Sequence, residues 1–366
     1  MIHCHRMAVT FHSALGPIGP RELASGVDAF YLSGRASLPT QLLEELHTLR
    51  LLADQQEGPV EIVLGGLTMQ LQPRKWGLYR YCIDDPYARI GFSPKGKIPA
   101  IRVQPRAEFL HGAGVEFVVE WARSLLESVC GPVLLQVSRL DLFADFQGLS
   151  VSGDGRREFV CRADVRHLFE DGESFNGLQF GSRSSGTIFA RIYDKTIESA
   201  KTGSAYWLDV WGERYESALP VARVEFELHR EVLRQFGVAT PEEVLSVSGS
   251  LWHYLTHDWL THRDPTADET KSRWPISEQW RAVQRAGMSE RAVGIARAYG
   301  AKQSGVLENL MPSLVGQLAN FGALTNCESS IDLIPTLERH LQHYSRSSGR
   351  AMASRIAEKR QKHGLP

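Results

Sequence analysis

Apolar residues along this chain recur with two periods, and the change of period predicts its elements. From Leu38 to Ala53, the residues Leu42, Leu43, Leu46, Leu49 and Leu52 fall at helical spacing. From Val115 to Val129, Phe117, Val118, Trp121, Leu125 and Leu126 form a second amphipathic stripe. Alternation or β-branched character predicts strands from Asp28 to Leu32, Val60 to Leu64, Leu67 to Leu71, Gly77 to Cys82 and Ile98 to Gln104. Three more strands are predicted in the middle of the chain, from Val133 to Phe146, Thr187 to Lys195 and Val221 to Leu228.

Beyond Pro241 the period turns helical, with Trp252, Tyr254, Trp259, Trp274 and Trp280 spread through the region. Further helices are predicted from Ser289 to Gly300 and from Gly305 to Phe321. The order implies an α+β fold with an antiparallel sheet core and a helical C-terminal region. Residues 1–26, rich in Gly and Pro, are expected to be a loose leader. Residues 27–240 would be the core, 241–335 a helical region and 336–366 a basic tail. That tail carries seven Lys/Arg against two Glu, which suits either a solvated helix or one lying along phosphate.

The three central strands share a further pattern. Alternate side chains of a strand lie on one face. Arg139, Asp141 and Asp145 therefore share a face, backed by Leu140, Leu142, Ala144 and Phe146. Arg191, Tyr193 and Lys195 share another, and so do Arg223, Glu225 and Glu227, backed by Val224, Phe226 and Leu228. A wet face on an antiparallel sheet, with cross-strand Arg–Glu pairs, would explain each position taken singly. Taken jointly, acids on two strands and a tyrosine between Arg and Lys on a third favour a site.

Composition narrows the classes. The net charge of -1 excludes a strong global positive field, so a nucleic-acid partner would need a local basic surface. Five scattered cysteines without a CxxC pair fit neither a disulfide framework nor a zinc knuckle. No apolar run reaches the roughly 20 residues of a membrane span, and no signal peptide is expected at the start. These features point to a cytoplasmic protein without a membrane partner.

The charged pattern suits phosphodiester transfer. Carboxylates would hold Mg²⁺ or Mn²⁺, which would neutralise charge developing on a scissile phosphate. A tyrosine hydroxyl is a weak nucleophile at its free pKa of about 10, and a neighbouring cation such as Lys195 would help form the phenolate.

The segment Phe180-Gly181-Ser182-Arg183-Ser184-Ser185, followed by Arg191-Ile192-Tyr193-Asp194-Lys195, resembles the signature of the plasmid Rep_trans replication initiators. Arg139-Leu140-Asp141 and Arg223-Val224-Glu225-Phe226-Glu227-Leu228 resemble the flanking motifs in the same order. The stretch from Trp252 to Trp280 resembles the helical, tryptophan-rich region that comes after those motifs in the family. The resemblance spans about Val115 to Trp280 and implies rolling-circle replication in a bacterial cytoplasm. It implies Tyr193 as nucleophile, forming a 5′-phosphotyrosine, with Lys195 and Arg191 beside it. It implies Asp141, Glu225 and Glu227 as metal ligands with Asp145 in reserve, and Arg183, Ser182, Arg139 and Arg223 as DNA contacts. The expected partner is DNA, as an origin hairpin and a single-stranded nick site. A host helicase and a second copy of the chain are further partners it allows. A relaxase of a mobile element would share the motifs. A non-cutting DNA-binding protein of the same fold is the alternative from another class, and a water-using metal nuclease would leave the tyrosine unexplained.

Other signals carry less. Gly91 to Lys97 has a P-loop outline, but Ile98 and Pro99 come next, so a turn is expected. His3-Cys4-His5 stands far upstream of any tyrosine, and His253, His257 and His262 lack the glutamate of a zinc helix. Tyr79 and Tyr81 could stack on bases, although a half-buried strand accounts for them.

Overall fold

The computed structural model describes residues 19–150, 153–171, 174–182, 188–288, 295, 314–315, 318–347 and 351–362. The chain divides into two compact units, Met1–Ile295 and Ala296–Pro366. The first is α+β, built on an antiparallel sheet of eleven strands.

Two long strands hold the centre of that sheet, β1 (Arg21–Arg35) and β7, the fourteen-residue Leu134–Gln147. They pair antiparallel from Arg21 opposite Gln147 to Arg35 opposite Leu134. Strand β1 begins well before Asp28 because its alternation is interrupted. Register shifts fall between Glu22 and Ala24, Val27 and Ala29, and Tyr31 and Leu32. A bulge moves the next side chains to the other face, so no clean period shows in the sequence.

Five shorter strands extend the sheet on the β1 side: β2 (Val60–Leu64), β3 (Leu67–Gln72), β4 (Tyr81–Asp84), β5 (Ala88–Phe92) and β6 (Ile101–Pro105). They run as a meander, with β6 against β1. The strand expected from Gly77 starts late because Trp76–Tyr79 is a tight turn. Its ends exchange two backbone hydrogen bonds of 3.0 Å, and Gly77 takes φ 60°, which disfavours a side chain.

On the β7 side, β9 (Arg166–Asp171), β10 (Ser174–Phe180), β11 (Ile188–Asp194) and β12 (Val221–His229) complete the sheet, in the order β7-β12-β11-β10-β9. The expected central strands are therefore adjacent. Leu140, Leu142, Ala144, Ile192, Val224, Phe226 and Leu228 are buried on the apolar face. The helices α1 (Thr40–Gln55) and α3 (Val115–Cys130) add Leu42, Leu46, Val118, Ala122 and Leu126 to this core.

The helical region after Pro241 covers the same face. It consists of α7 (Pro241–Ser246), α8 (Ser248–Tyr254) and α9 (Glu278–Gln284). A capping box of Thr240 and Glu243 starts α7. Trp252 sets its ring edge-on to Phe226 with centroids 5.4 Å apart. Both are fully buried, and each such side chain contributes about 1.5–3 kcal/mol. A small second sheet interrupts the helices, pairing β13 (Leu260–His262) with β8 (Phe159–Cys161). Three residues per strand are too few to show a period.

The polar face of the sheet is not uniformly wet, as the sequence would suggest. Short helices α2 (Ala107–Ala113) and α5 (Trp207–Trp211) lie over its centre. Leu23, Phe143, Trp207, Trp211 and Val221 make a second small core there. As a result β12 is buried on both faces from Val221 to Leu228.

The second unit is described mainly through the helices Ser330–Ser347 and Met352–Lys362, in which most of the basic tail falls. The helix expected from Ser289 to Gly300 lies outside the described residues except for Ile295, and the one from Gly305 to Phe321 is described only in part. His3, Cys4 and His5 also lie outside them. Cys82, Cys130, Cys161 and Cys327 are free thiols. Among the described residues, no helix is long and apolar enough to cross a membrane.

Candidate active site

The tyrosine owes its position to the way β11 ends. The Asp194 carboxylate accepts a hydrogen bond of 3.0 Å from the Ile197 backbone N–H and so caps the helix α4 (Lys195–Thr202). Tyr193 is thus the last outward-facing residue before the chain turns. Lys195, expected on the strand, is the first residue of that helix. Its Nζ still reaches back, 6.0 Å from the Tyr193 ring centroid and 4.7 Å from that of Trp207, while donating to Glu198 at 2.5 Å.

Register aligns the charged residues in rows across three strands. Asp141 stands opposite Glu227, Phe143 opposite Glu225 and Asp145 opposite Arg223. On the other side of β12, Glu225 faces Arg191 and Arg223 faces Tyr193. Tyr193 Oη donates to Glu225 Oε2 at 2.9 Å, and Arg191 binds the other oxygen of the same carboxylate. Arg191 Nε is buried and has no acceptor among the described residues. A cavity of about 520 Å³ opens beside the tyrosine, lined by Tyr193, Arg191, Lys195, Lys201, Asn176 and Gln179 among others.

Asp141 and Glu227 are both held by Arg139, whose Nε donates to Asp141 at 2.7 Å and whose Nη2 lies 2.9 Å from Glu227. His229 Nε2 is 2.7 Å from the other Glu227 oxygen. Burial, aided by the Glu225 and Glu227 charges, pushes the Asp141 carboxyl up to about 7 against the pull of Arg139. Burial and the Glu225 carboxylate likewise hold the Tyr193 hydroxyl well above its ordinary range. The expectation that neighbouring cations ease its ionisation does not hold in this state. Lys195 is engaged with Glu198, and the hydroxyl's own partner is the negative Glu225 carboxylate.

Two expected roles are corrected. Arg223, expected to touch DNA, is fully buried. Its Nε and Nη2 grip Asp145 at 2.7 and 2.8 Å, its Nη1 reaches Asp28 at 2.8 Å, and its guanidinium lies 3.9 Å from the Trp207 ring centroid. Asp145, the reserve ligand, also accepts from Trp211 Nε1 at 2.8 Å and is fully buried, so its oxygens are committed to the fold. Arg139 remains partly exposed but is tied to the two acids. Ser182 lies just past β10, and Arg183 is outside the described residues.

Asp28 is the member that sequence pattern missed. It sits in the β1 bulge between Val27, opposite Leu142, and Ala29, opposite Asp141. The extra residue turns its carboxylate toward Arg223 and toward His111 Nε2, 3.1 Å away. Burial alone would raise this carboxyl, but Arg223 and His111 outweigh burial and leave it well below the usual range. Only the repeated loss of alternation in β1 could have signalled it.

As a metal site, the acids fit in chemistry but not in arrangement. All are oxygen donors, and the Glu225 and Glu227 charges that add to burial in raising Asp141 are what a divalent cation relieves. As they stand, each is neutralised by a guanidinium or an imidazole. Among the described residues, no group of three or more His, Cys, Asp or Glu is arranged to hold a metal ion. The geometry would fit a hard cation only after Arg139 or Arg191 moved aside.

No protein-family model matches this chain, and no curated protein does. Among solved structures, the chain is similar to a rolling circle replication initiator protein from Geobacillus stearothermophilus. The identity is 14% and the TM-score 0.41, over 73% of this chain and 97% of that one.

Proposed function

We propose that the chain is a DNA nicking and joining enzyme of the rolling-circle initiator type, with Tyr193 as its nucleophile. The observation that carries this reading is Tyr193 lining a cavity of about 520 Å³ while its hydroxyl donates at 2.9 Å to a carboxylate that Arg191 also binds. A general base must be within hydrogen-bond reach of the proton it removes, and Glu225 meets that condition. An ordinary structural tyrosine needs neither a cavity beside it nor a carboxylate bound on its other side by an arginine.

In the proposed step, Tyr193 Oη attacks the scissile phosphorus while its proton passes to Glu225. A Tyr–O–P bond forms, and the bond from phosphorus to the 3′ oxygen breaks. That oxygen leaves as a 3′-hydroxyl after taking up a proton, and the 5′ end stays on the enzyme. Rejoining is the reverse attack by a 3′-hydroxyl, with Glu225 returning its proton to the tyrosine. Arg191, whose Nε lacks an acceptor, and Lys201 on the cavity wall would receive the phosphate oxygens.

A divalent metal at Asp141, Glu225 and Glu227 would have to replace Arg139 and Arg191 on these acids, and it would supply charge neutralisation at the phosphate. The test is to incubate the protein with Mn²⁺ and a labelled single strand carrying a candidate origin, and to look for an adduct that survives denaturation. Peptide mapping should place the DNA on Tyr193, and Tyr193→Phe should abolish the adduct at a stability cost of about 0.5–1.5 kcal/mol. DNA on another tyrosine would refute the assignment.

A further inference from the structure

At the far end of the same sheet face, basic residues gather, with Glu231 as the acid beside Arg230. Ser33 stands opposite Arg102 in the β1–β6 pairing, and the Arg102 guanidinium stacks 4.2 Å from the Trp76 ring centroid. Arg230, the first residue of helix α6 (Arg230–Gln235), leaves β12 beside them and binds Ser33 Oγ. Its Nε is buried and has no hydrogen-bond acceptor among the described residues. Next to it the turn from Ser93 to Ala100, together with Arg35, Leu38 and Leu43, lines a second cavity of about 510 Å³. Lys95 and Lys97 rise from that turn and are exposed, as is Arg35.

Among the described residues, none of Arg35, Lys95, Lys97, Arg102, Arg230 and Arg234 has an ion-pair partner. That sets them apart from the catalytic end of the sheet, where Arg139, Arg191 and Arg223 are all neutralised. Burial and the neighbouring Arg234 and Arg35 charges make protonation of Arg230 harder, which Glu231 only partly offsets. Cations crowded around a buried unsatisfied donor, at the rim of a cavity, describe an anion site.

We infer that this patch binds the phosphate backbone of the single-stranded DNA whose nick site lies at Tyr193. The inference rests on the nicking reading for the identity of the strand. Both ends lie along β12, with the arginine-bound carboxylates Glu225 and Glu227 between them. Tyr193 faces Arg223, and Arg230 stands seven residues further along the same strand direction, roughly 23 Å away. Several nucleotides would span that distance. Between the two ends Arg139 stays with Asp141 and Glu227, while its guanidinium lies 4.9 Å from the Tyr31 ring centroid and leaves that ring as the aromatic surface on the way. A phosphate track interleaved with aromatic rings is how single strands are held without sequence readout. The turn from Ser93 to Ala100 thus has a role that a failed P-loop outline did not suggest.

The experiment measures binding of fluorescein-labelled dT20 by full-length protein in a Tyr193→Phe background, across a salt series. Lys95→Gln/Lys97→Gln alters only exposed side chains, and Arg230→Gln alters the buried donor. Each variant is expected to weaken dT20 binding by about tenfold at low salt. The double variant should lower the slope of log affinity against log salt by about 1.4, from two lost single-strand contacts. Adduct formation through Tyr193 on a short strand, measured with the same substitutions in the wild-type background, should persist. Unchanged affinity and slope in Lys95→Gln/Lys97→Gln, with adducts still forming, would overturn the patch and leave the nicking reading standing. Weakened dT20 binding without any adduct on Tyr193 in the wild type would do the reverse. Loss of tripolyphosphate binding with dT20 binding intact would mark a small-phosphate site and also overturn the inference.

Discussion

Replacing Arg223 with methionine tests the claim that this arginine serves the fold and not the DNA. Arg223 and Asp145 are both fully buried and joined by two hydrogen bonds of 2.7 and 2.8 Å. Methionine keeps much of the packing against Trp207 and Phe143 but leaves the Asp145 carboxylate to Trp211 Nε1. Asp28 keeps His111 and loses its closest cation. Removing one partner of a buried ion pair costs about 3–5 kcal/mol, because the other charge stays buried. That is a large share of a typical total of about 5–15 kcal/mol. With a urea dependence of about 3 kcal/mol/M, the unfolding midpoint should fall by about 1.0–1.7 M. The companion double variant Arg223→Met/Asp145→Leu removes both charges and should recover most of the loss. Equilibrium urea unfolding of the three proteins gives the comparison. A cost below about 1 kcal/mol for Arg223→Met, or a double variant no more stable than Arg223→Met alone, would refute the reasoning.

Asp141→Ala and Glu225→Ala should each abolish cleavage while leaving duplex binding largely intact, since backbone contacts dominate affinity; gel-shift and nicking assays on the same preparations check both halves. The Asp141 carboxyl, raised to about 7 when folded from 3.8 in its ordinary state, holds a proton that the unfolded chain has released over that window. Metal-free protein should therefore lose stability as pH rises from about 4 to 7, and Asp141→Asn should flatten that slope in urea titrations. A methyl group on Gly177 would stand 2.7 Å from the Ile192 carbonyl oxygen and 2.9 Å from Tyr193 Cβ. Gly177→Ala should force β10 away from β11, cutting adduct yield more than DNA affinity; unchanged yield would show that Tyr193 tolerates the shift.

Strands β2, β3, β7, β11 and β12 and helices α1 and α3 were legible from periodicity, because burial of one face imposes period two on a strand and helical spacing on a helix, whereas β5, β9 and β10 were not read. So was the sharing of a face by Arg139 and Asp141, by Arg191 and Tyr193, and by Glu225 and Glu227. Those relations are local, set by the geometry of a single strand. Which strands are neighbours is a long-range matter, and only the folded sheet puts β12 between β7 and β11. Arg191 and Arg223 occupy equivalent places in their local patterns. One borders a cavity and the other is sealed under Trp207, because α5 roofs one row of the sheet and not the next. Asp28 became a partner of Arg223 through a bulge that destroys the very period by which a strand is recognised. Lys195 left the strand face because Asp194 caps a helix, a hydrogen bond that alternation does not record. Sequence alone thus determined which side chains each strand presents together. Tertiary structure decided which charges meet, because pairing and covering depend on residues far away in the chain.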